Sequence, residues 1–315
     1  MKELRILIGL SASGKSTYTK KIADERSHVV IVSSDDIRAE LSNRADQSRN
    51  AEVFQIFHKR IDEALKNNDD VCCICDATNI TIKSRRPIIQ IGKKNNAEIV
   101  GDLILKPIGN CISDDTTREF SVGKYVIEKQ IRKFEVPFFA EGFDKINIHT
   151  FTDLARIDNN IFGQCMEDLK SFNQNNPHHE LSLGDHCEKV SELFKIFSKD
   201  MSLNGFNLSR IEHGLLFHDL GKAFTETLDE NNVSHYYHHE NVGAYTYLTF
   251  CAYMETPIFA KDMLYNSFIV NYHMRPFGWT TEKAINKAKK LFGEGYHILD
   301  AVHVCDLAGC KKYES

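Results

Sequence analysis

The sequence predicts an α/β domain, a parallel sheet flanked by helices, followed by an all-α domain. Three observations carry this. In the first half, short apolar runs alternate with helix-length amphipathic segments, the pattern of a parallel sheet with crossover helices. Beyond residue 150 the strand signal fades and helix-patterned stretches continue to the end. The histidines divide the same way: His28, His58 and His149 lie in the first half, and eleven of the fourteen lie from His178 onward. That skew points to metal chemistry in the second half. A chain of 315 residues with 42% hydrophobic content is long enough for two cores, because domains usually run to about 100–200 residues. The expected domains are 1–155 and 156–315.

In order, residues 4–8, 29–32, 71–74 and 99–105 read as buried strands, with a last strand at 146–150. The Asn-rich stretch 173–177 is punctuation inside the second unit. Cys72, Cys73 and Cys75 crowd one strand, and the cysteines show no two C-x-x-C pairs of the kind a zinc site uses, so reduced core thiols are expected. The N-terminal apolar run meets a Gly-rich turn instead of a cleavage site, and no later run spans a bilayer. A cytoplasmic protein with no membrane partner is expected. The net charge of -5 comes from the second half: residues 1–150 hold 24 Lys+Arg against 22 Asp+Glu, the remainder 15 against 22. A broad basic surface for duplex binding is therefore not predicted, and any polynucleotide would lie in a local groove.

At the end of the first strand, GLSASGKST (residues 9–17) matches G-x-x-x-x-G-K-[ST]. It sits between an apolar strand and an amphipathic helix, as its mechanics require. The motif assigns Gly9, Ser11, Ser13, Gly14, Lys15, Ser16 and Thr17 to an NTP such as ATP. Backbone N–H groups wrap the phosphates, Lys15 neutralises the β and γ oxygens, and the Ser16 hydroxyl ligates Mg²⁺. After the second strand, Ser34-Asp35-Asp36-Ile37-Arg38 puts Asp35 and Arg38 three apart on one helix face. Asp35 could take the proton of an attacking hydroxyl and Arg38 hold an acceptor phosphate; the plain alternative makes Asp35 a helix N-cap. After the third strand, Asp76 and Asn79 in DATN, with Arg85 and Arg86 beyond, could orient Mg²⁺ or bind the acceptor, or Asp76 is a turn residue. Arg118 lies in a polar, Asp- and Thr-rich segment that could close as a lid.

Together, GLSASGKST, SSDDIRAEL, DATN followed by RR, and a lid arginine followed by VIEKQIRKFEVPFFAEGFDKI resemble the kinase domain of bacteriophage-type polynucleotide 5′-kinases across about residues 1–150. The resemblance implies Asp35 as general base for a 5′-hydroxyl, Arg38 on the acceptor phosphate and Arg118 on the donor phosphates. Ala12 departs from the pattern, since many such kinases have a further glycine there. No D-x-D-x-[TV] motif of the family's usual phosphatase partner occurs.

The second half carries His218-Asp219-Leu-Gly-Lys222, with His186 before it and His239, His273 and Asp306 after. This mixed His and carboxylate set suits Mn²⁺, Fe²⁺, Co²⁺, Ni²⁺ or Zn²⁺ better than a structural zinc site. His213, His297 and His303 read as packed or surface residues, and His238 is the rival to His239. The constellation resembles the HD phosphohydrolase superfamily across about residues 160–310. The resemblance implies that His186, His218, Asp219 and Asp306 hold a first ion, that Asp219 bridges to a second held by His239 and His273, and that Lys222 offsets phosphate charge.

A 5′-kinase joined to an HD phosphohydrolase implies healing of RNA or DNA ends carrying 5′-OH and 2′,3′-cyclic or 3′-phosphate, with sealing left to a separate ligase. The alternative is a small-molecule or nucleoside kinase fused to an HD nucleotide phosphohydrolase.

Overall fold

The computed structural model describes residues 1–44, 46–177, 180–200 and 211–310. They form two compact units, Met1–Thr152 and Asp153–Ser315.

The first unit runs β1 (Lys2–Ile8), α1 (Lys15–Glu25), β2 (Val29–Ser33), α2 (Ser34–Leu41), α3 (Asn50–Asn67), β3 (Val71–Asp76), α4 (Ile82–Lys94), β4 (Glu98–Ile104), α5 (Ile108–Asp115), α6 (Lys124–Ile131) and β5 (Lys145–His149). All neighbouring strands pair in parallel, in the order β2-β3-β1-β4-β5. The apolar runs are continuous because central parallel strands are covered on both faces: Leu4, Ile6, Leu7, Ile8, Cys73, Ile74 and Cys75 are wholly buried. All nine cysteines are free and seven are buried. One polar knot interrupts this core: Asp102 on β4 accepts from Arg5 Nε and Nη2 at 2.8 and 2.9 Å and meets His149 Nε2 at 2.9 Å. Between β4 and α6, α5 occupies the middle of the segment, and Arg118 lies in its irregular part, residues 116–123.

The second unit is helical: α7 (Ile161–Ser171), α8 (Leu183–Phe197), α9 (Glu212–Leu216), α10 (Lys222–Thr225), α11 (His239–Tyr253), α12 (Ala260–Tyr272), α13 (Glu282–Phe292) and α14 (Gly295–Gly309). A small antiparallel ribbon, β6 (Thr227–Leu228) and β7 (Ser234–His235), departs from the all-helical expectation. Gly221 and Gly243 let α10 meet the backbone of α11: a Cβ on Gly221 would lie 1.9 Å from the His239 carbonyl oxygen and 2.7 Å from Gly243 N. Among the described residues, no helix is long and apolar enough to cross a membrane.

Candidate functional site

The predicted residues of the first unit gather at the carboxyl ends of the parallel strands, where open α/β sheets bind ligands. β1 ends at Ile8, and the turn to α1 is pinned by Gly9 N donating to Thr78 O at 3.0 Å. Gly14 stands at the helix start with φ 93°, and a Cβ there would meet Phe151 Cζ at 2.2 Å, so both conformation and space demand glycine. Ala12 also takes a positive φ, 59°. This is where the sequence departs from the kinase pattern, and it costs about 1 kcal/mol that glycine would not.

Lys15 Nζ donates to the carbonyls of Leu10 (2.7 Å) and Gly9 (3.2 Å). Burial lowers its pKa; Asp76, Cys111 and Asp35 oppose that shift and Arg118 adds to it. The candidate base, cation ligand and lid arginine therefore share one electrostatic field around Lys15. Ser16 Oγ, exposed, lies 3.4 Å from Asp76 Oδ2, a hydroxyl and carboxylate pair able to flank a Mg²⁺. Burial raises the Asp76 pKa against the pull of Lys15. Thr17 is exposed, whereas Ser13 is wholly buried, its Oγ making no hydrogen bond and its N–H donating to Leu10 O at 3.2 Å.

Ser33, and not Asp35, caps α2: its Oγ accepts from Asp36 N at 3.2 Å, worth about 1 kcal/mol. Asp35 is thereby left half exposed and faces Arg38 Nη1 at 2.7 Å. Arg38 is buried and also donates from Nη2 to Asn50 Oδ1 at 2.9 Å, while its buried Nε makes no hydrogen bond. Arg118 is 39% exposed and 3.5 Å from Asp115.

Two predicted substrate contacts are corrected. Arg85 is 0% exposed and paired with Glu141 at 2.7 Å, with Nη1 on the carbonyls of Glu135 and Asn79; it locks α4 in place and is closed to an acceptor. Asn79, 2% exposed with φ 43°, donates to Leu7 O at 2.9 Å and ties the DATN turn to the end of β1. Arg86 is exposed.

Sequence reasoning missed two residues of the first unit. The buried Asp115 carboxylate accepts from Ser121 Oγ (2.6 Å), Gly123 N (2.8 Å) and Val122 N (3.3 Å), which closes the Arg118 segment on itself. Gln130 on α6 accepts from Ser11 N at 2.8 Å and donates to Ser11 Oγ at 2.9 Å. Both bond to residues remote in sequence or hidden in polar stretches, and no local motif marks them.

In the second unit, His186 on α8, His218 and Asp219 before α10, His239 opening α11, His273 closing α12 and Asp306 on α14 come together, every one of them buried. Their ligand atoms form two triads, His186–His218–Asp306 and Asp219–His239–His273, each within 4.8 Å. Asp219 faces both. Its Oδ2 lies 3.6 and 3.5 Å from Nε2 of His186 and His218, and its Oδ1 lies 3.1 and 3.4 Å from Nε2 of His239 and His273. Asp306 Oδ1 is 3.0 Å from His186 Nε2.

The donor chemistry fits divalent cations. Nδ1 of His218, His239 and His273 sits 2.8, 2.8 and 2.9 Å from the carbonyls of Leu215, Tyr236 and Val270. A carbonyl only accepts, so each Nδ1 carries the proton and each Nε2 turns a lone pair inward. His239 Nε2 and His273 Nε2 then face each other at 3.2 Å, and the buried His218 Nε2 makes no hydrogen bond. Lone pairs and carboxylates thus converge with too few protons between them, which a cation resolves. Burial by itself would lower the His218 pKa, but Cys187, Asp219 and Asp306 hold it well above the ordinary value, so without a cation a proton would take up the same place on Nε2. Burial would likewise raise Asp219, yet Lys222 and His218 hold it well below the carboxylate range.

His238 is exposed, with φ 66°, and stands outside both triads. Lys222 Nζ lies 2.7 Å from Asp219 Oδ2 and donates to Gln174 Oε1 at 2.8 Å; the buried Gln174 was not foreseen. His213 is packed, 2.7 Å from Tyr247 Oη.

Residues 4–137 match the family model described as an AAA domain. This agrees with the P-loop α/β fold of the first unit and leaves the helical unit unassigned. No curated protein matches the chain. Two similar solved chains belong to structures titled as the Pnkp1/Rnl/Hen1 RNA repair complex. One is 24% identical over 42% of this chain and 43% of that one, with a TM-score of 0.38. The other is 21% identical over 50% and 49%, with a TM-score of 0.34. The chain thus spans about half the length of these neighbours or less, and similarity at this level carries no argument about function.

Proposed function

We propose that the chain is a bifunctional nucleic-acid end-healing enzyme, phosphorylating 5′-OH ends, preferably of RNA, and removing 2′,3′-cyclic, 3′- or 2′-phosphate. The observation that carries this is the presence on one chain of a P-loop flanked by the Asp35–Arg38 pair and of a six-residue His and Asp cluster spanned by Asp219.

At the first centre, Asp35 takes the proton of the 5′-hydroxyl as its oxygen attacks the γ-phosphorus, and the bond to the leaving NDP breaks in line. Lys15 and Arg118 neutralise the donor phosphates, Ser16 and Asp76 would hold the Mg²⁺ that accompanies them, and Arg38 holds the acceptor's phosphate. Arg38 supports a phosphate-bearing acceptor over an uncharged nucleoside, because a buried guanidinium with an unspent Nε suits an anion. At the second centre, one or two divalent ions such as Mn²⁺ or Ni²⁺ would supply Lewis acidity and an acidified water. His186, His218, Asp219, His239, His273 and Asp306 would hold them. Lys222, fixed by Gln174 and Asp219, offsets phosphate charge. A separate ligase would join the healed ends.

The test offers the protein an RNA bearing a 5′-OH and a 2′,3′-cyclic phosphate, with ATP, Mg²⁺ and Mn²⁺, and follows label at both ends. Gain of phosphate at the 5′ end and loss at the 3′ end is expected. Inert ends, with ATP consumed on added nucleosides, would replace this reading by a small-molecule kinase.

A further inference from the structure

We infer that Gln130 is a positioning residue for phosphoryl transfer, a latch that ties the arginine-bearing segment to the phosphate loop; the inference rests on the kinase reading above. Gln130 is the seventh residue of α6, the helix that directly follows residues 116–123. Its carboxamide engages Ser11 twice, accepting from the backbone N–H at 2.8 Å and donating to Oγ at 2.9 Å. Ser11 is 8% exposed and lies in the centre of the loop that must wrap the phosphates.

The other end of α6 is equally constrained. Gly123, its N-cap, donates to Asp115, and the same carboxylate gathers Ser121, Val122 and Arg118. Between the loop and Arg118 there is thus a continuous path: hydrogen bonds from Ser11 to Gln130, the α6 backbone from Gln130 to Gly123, a hydrogen bond from Gly123 to Asp115, and Asp115 to Arg118 at 3.5 Å. An arginine serving a transferring phosphoryl group depends on its placement, since an error of about 1 Å can cost on the order of 10²-fold, and Arg118 is a 39% exposed side chain on an irregular segment. Gln130 also sets a local charge requirement, because its amide lies against the loop where phosphate charge collects.

The experiment measures γ-phosphate transfer from ATP to a 5′-OH oligoribonucleotide by the full chain and its Gln130→Ala, Gln130→Glu, Arg118→Ala and Gln130→Ala/Arg118→Ala variants, together with acceptor-free ATP hydrolysis. Gln130→Ala is expected to lower kcat about 10- to 50-fold with KM for ATP within about threefold. In the Arg118→Ala background the same change should cost less than about threefold, since a latch without its arginine has nothing to position. Gln130→Glu can keep both contacts, the Ser11 hydroxyl now donating, but places negative charge beside the phosphates, so KM for ATP should rise about tenfold or more. Unchanged kcat in Gln130→Ala, or a full multiplicative loss in the double variant, overturns the inference. Should the native chain transfer nothing to the oligonucleotide, the acceptor assignment fails instead. The same coupling between positions 130 and 118 is then read in acceptor-free hydrolysis, where its absence overturns the latch.

Discussion

Gly221→Ala probes the construction of the candidate metal cluster from a position outside its six residues. The backbone at Gly221, φ -65° and ψ -19°, accepts alanine without strain, so only space opposes the change. The new Cβ would sit 1.9 Å from the His239 carbonyl oxygen, and ordinary contact requires a separation of about 1.5 Å more. Because backbone bounds both sides, α10 and α11 must part by that amount. Overpacking of this kind costs about 2–3 kcal/mol, or about 4–12 °C in the melting of a unit of this size. The same displacement would carry His239 away from Asp219, now 3.1 Å distant, and should weaken Mn²⁺ binding about 10- to 100-fold. Calorimetry with and without Mn²⁺, paired with metal titration, reads both effects, and ATP-dependent kinase activity serves as the internal control. A melting temperature within about 1 °C of the native chain, with unchanged Mn²⁺ affinity, would refute the claim that this glycine contact sets the distance between Asp219 and His239.

Asp35→Ala should lower 5′-phosphorylation by about 10²–10⁴-fold and spare phosphate removal, while Asp219→Ala should do the reverse; single-end label assays separate them, and a variant losing both would undermine two independent centres. Ala12→Gly relieves a positive φ of 59° and should stabilise the first unit by up to about 1 kcal/mol, seen as a higher midpoint in urea. His213, pushed down to about 4 by burial, stays neutral in the fold while the unfolded chain protonates near 6.5. Its contribution is therefore intact above pH 6.5 and is lost as pH falls toward 4, on the order of 3 kcal/mol in all. Urea midpoints between pH 7.5 and 4.5 should fall for the native chain and fall less for His213→Phe. EDTA should lower the melting temperature of the second unit, and Mn²⁺ should restore it.

The strands and the phosphate loop were legible because their signals are local: continuous apolar runs, and glycines at fixed offsets from Lys15. The six histidine and aspartate positions were legible as a set, although only the fold brings residues 186 and 306 within reach of each other. Arg85 was misread because it follows DATN and precedes another arginine. Its spacing told otherwise, since it stands three residues from both Ile82 and Ile88, on the face that α4 buries. Asp35 was ambiguous because an acid at a helix start suits a cap; Ser33, one strand residue earlier, takes that office. Gln130 and Asp115 left no trace, because the 119 residues that separate Gln130 from Ser11 and the polar run around Asp115 erase any periodicity.

The passage between the units is short. Phe151 is committed to Gly14, and Ile157 is committed by its N–H to Tyr253 and by its carbonyl to Glu255. Only residues 152–156 lie between. A reading frame divided within those five positions would part the two chemistries without taking a ligand from either, whereas a division a few codons upstream would strip the aromatic cover from the phosphate loop. Residues 152–156 thus mark a place where the chain can be divided with the residues of each candidate centre left together on one side.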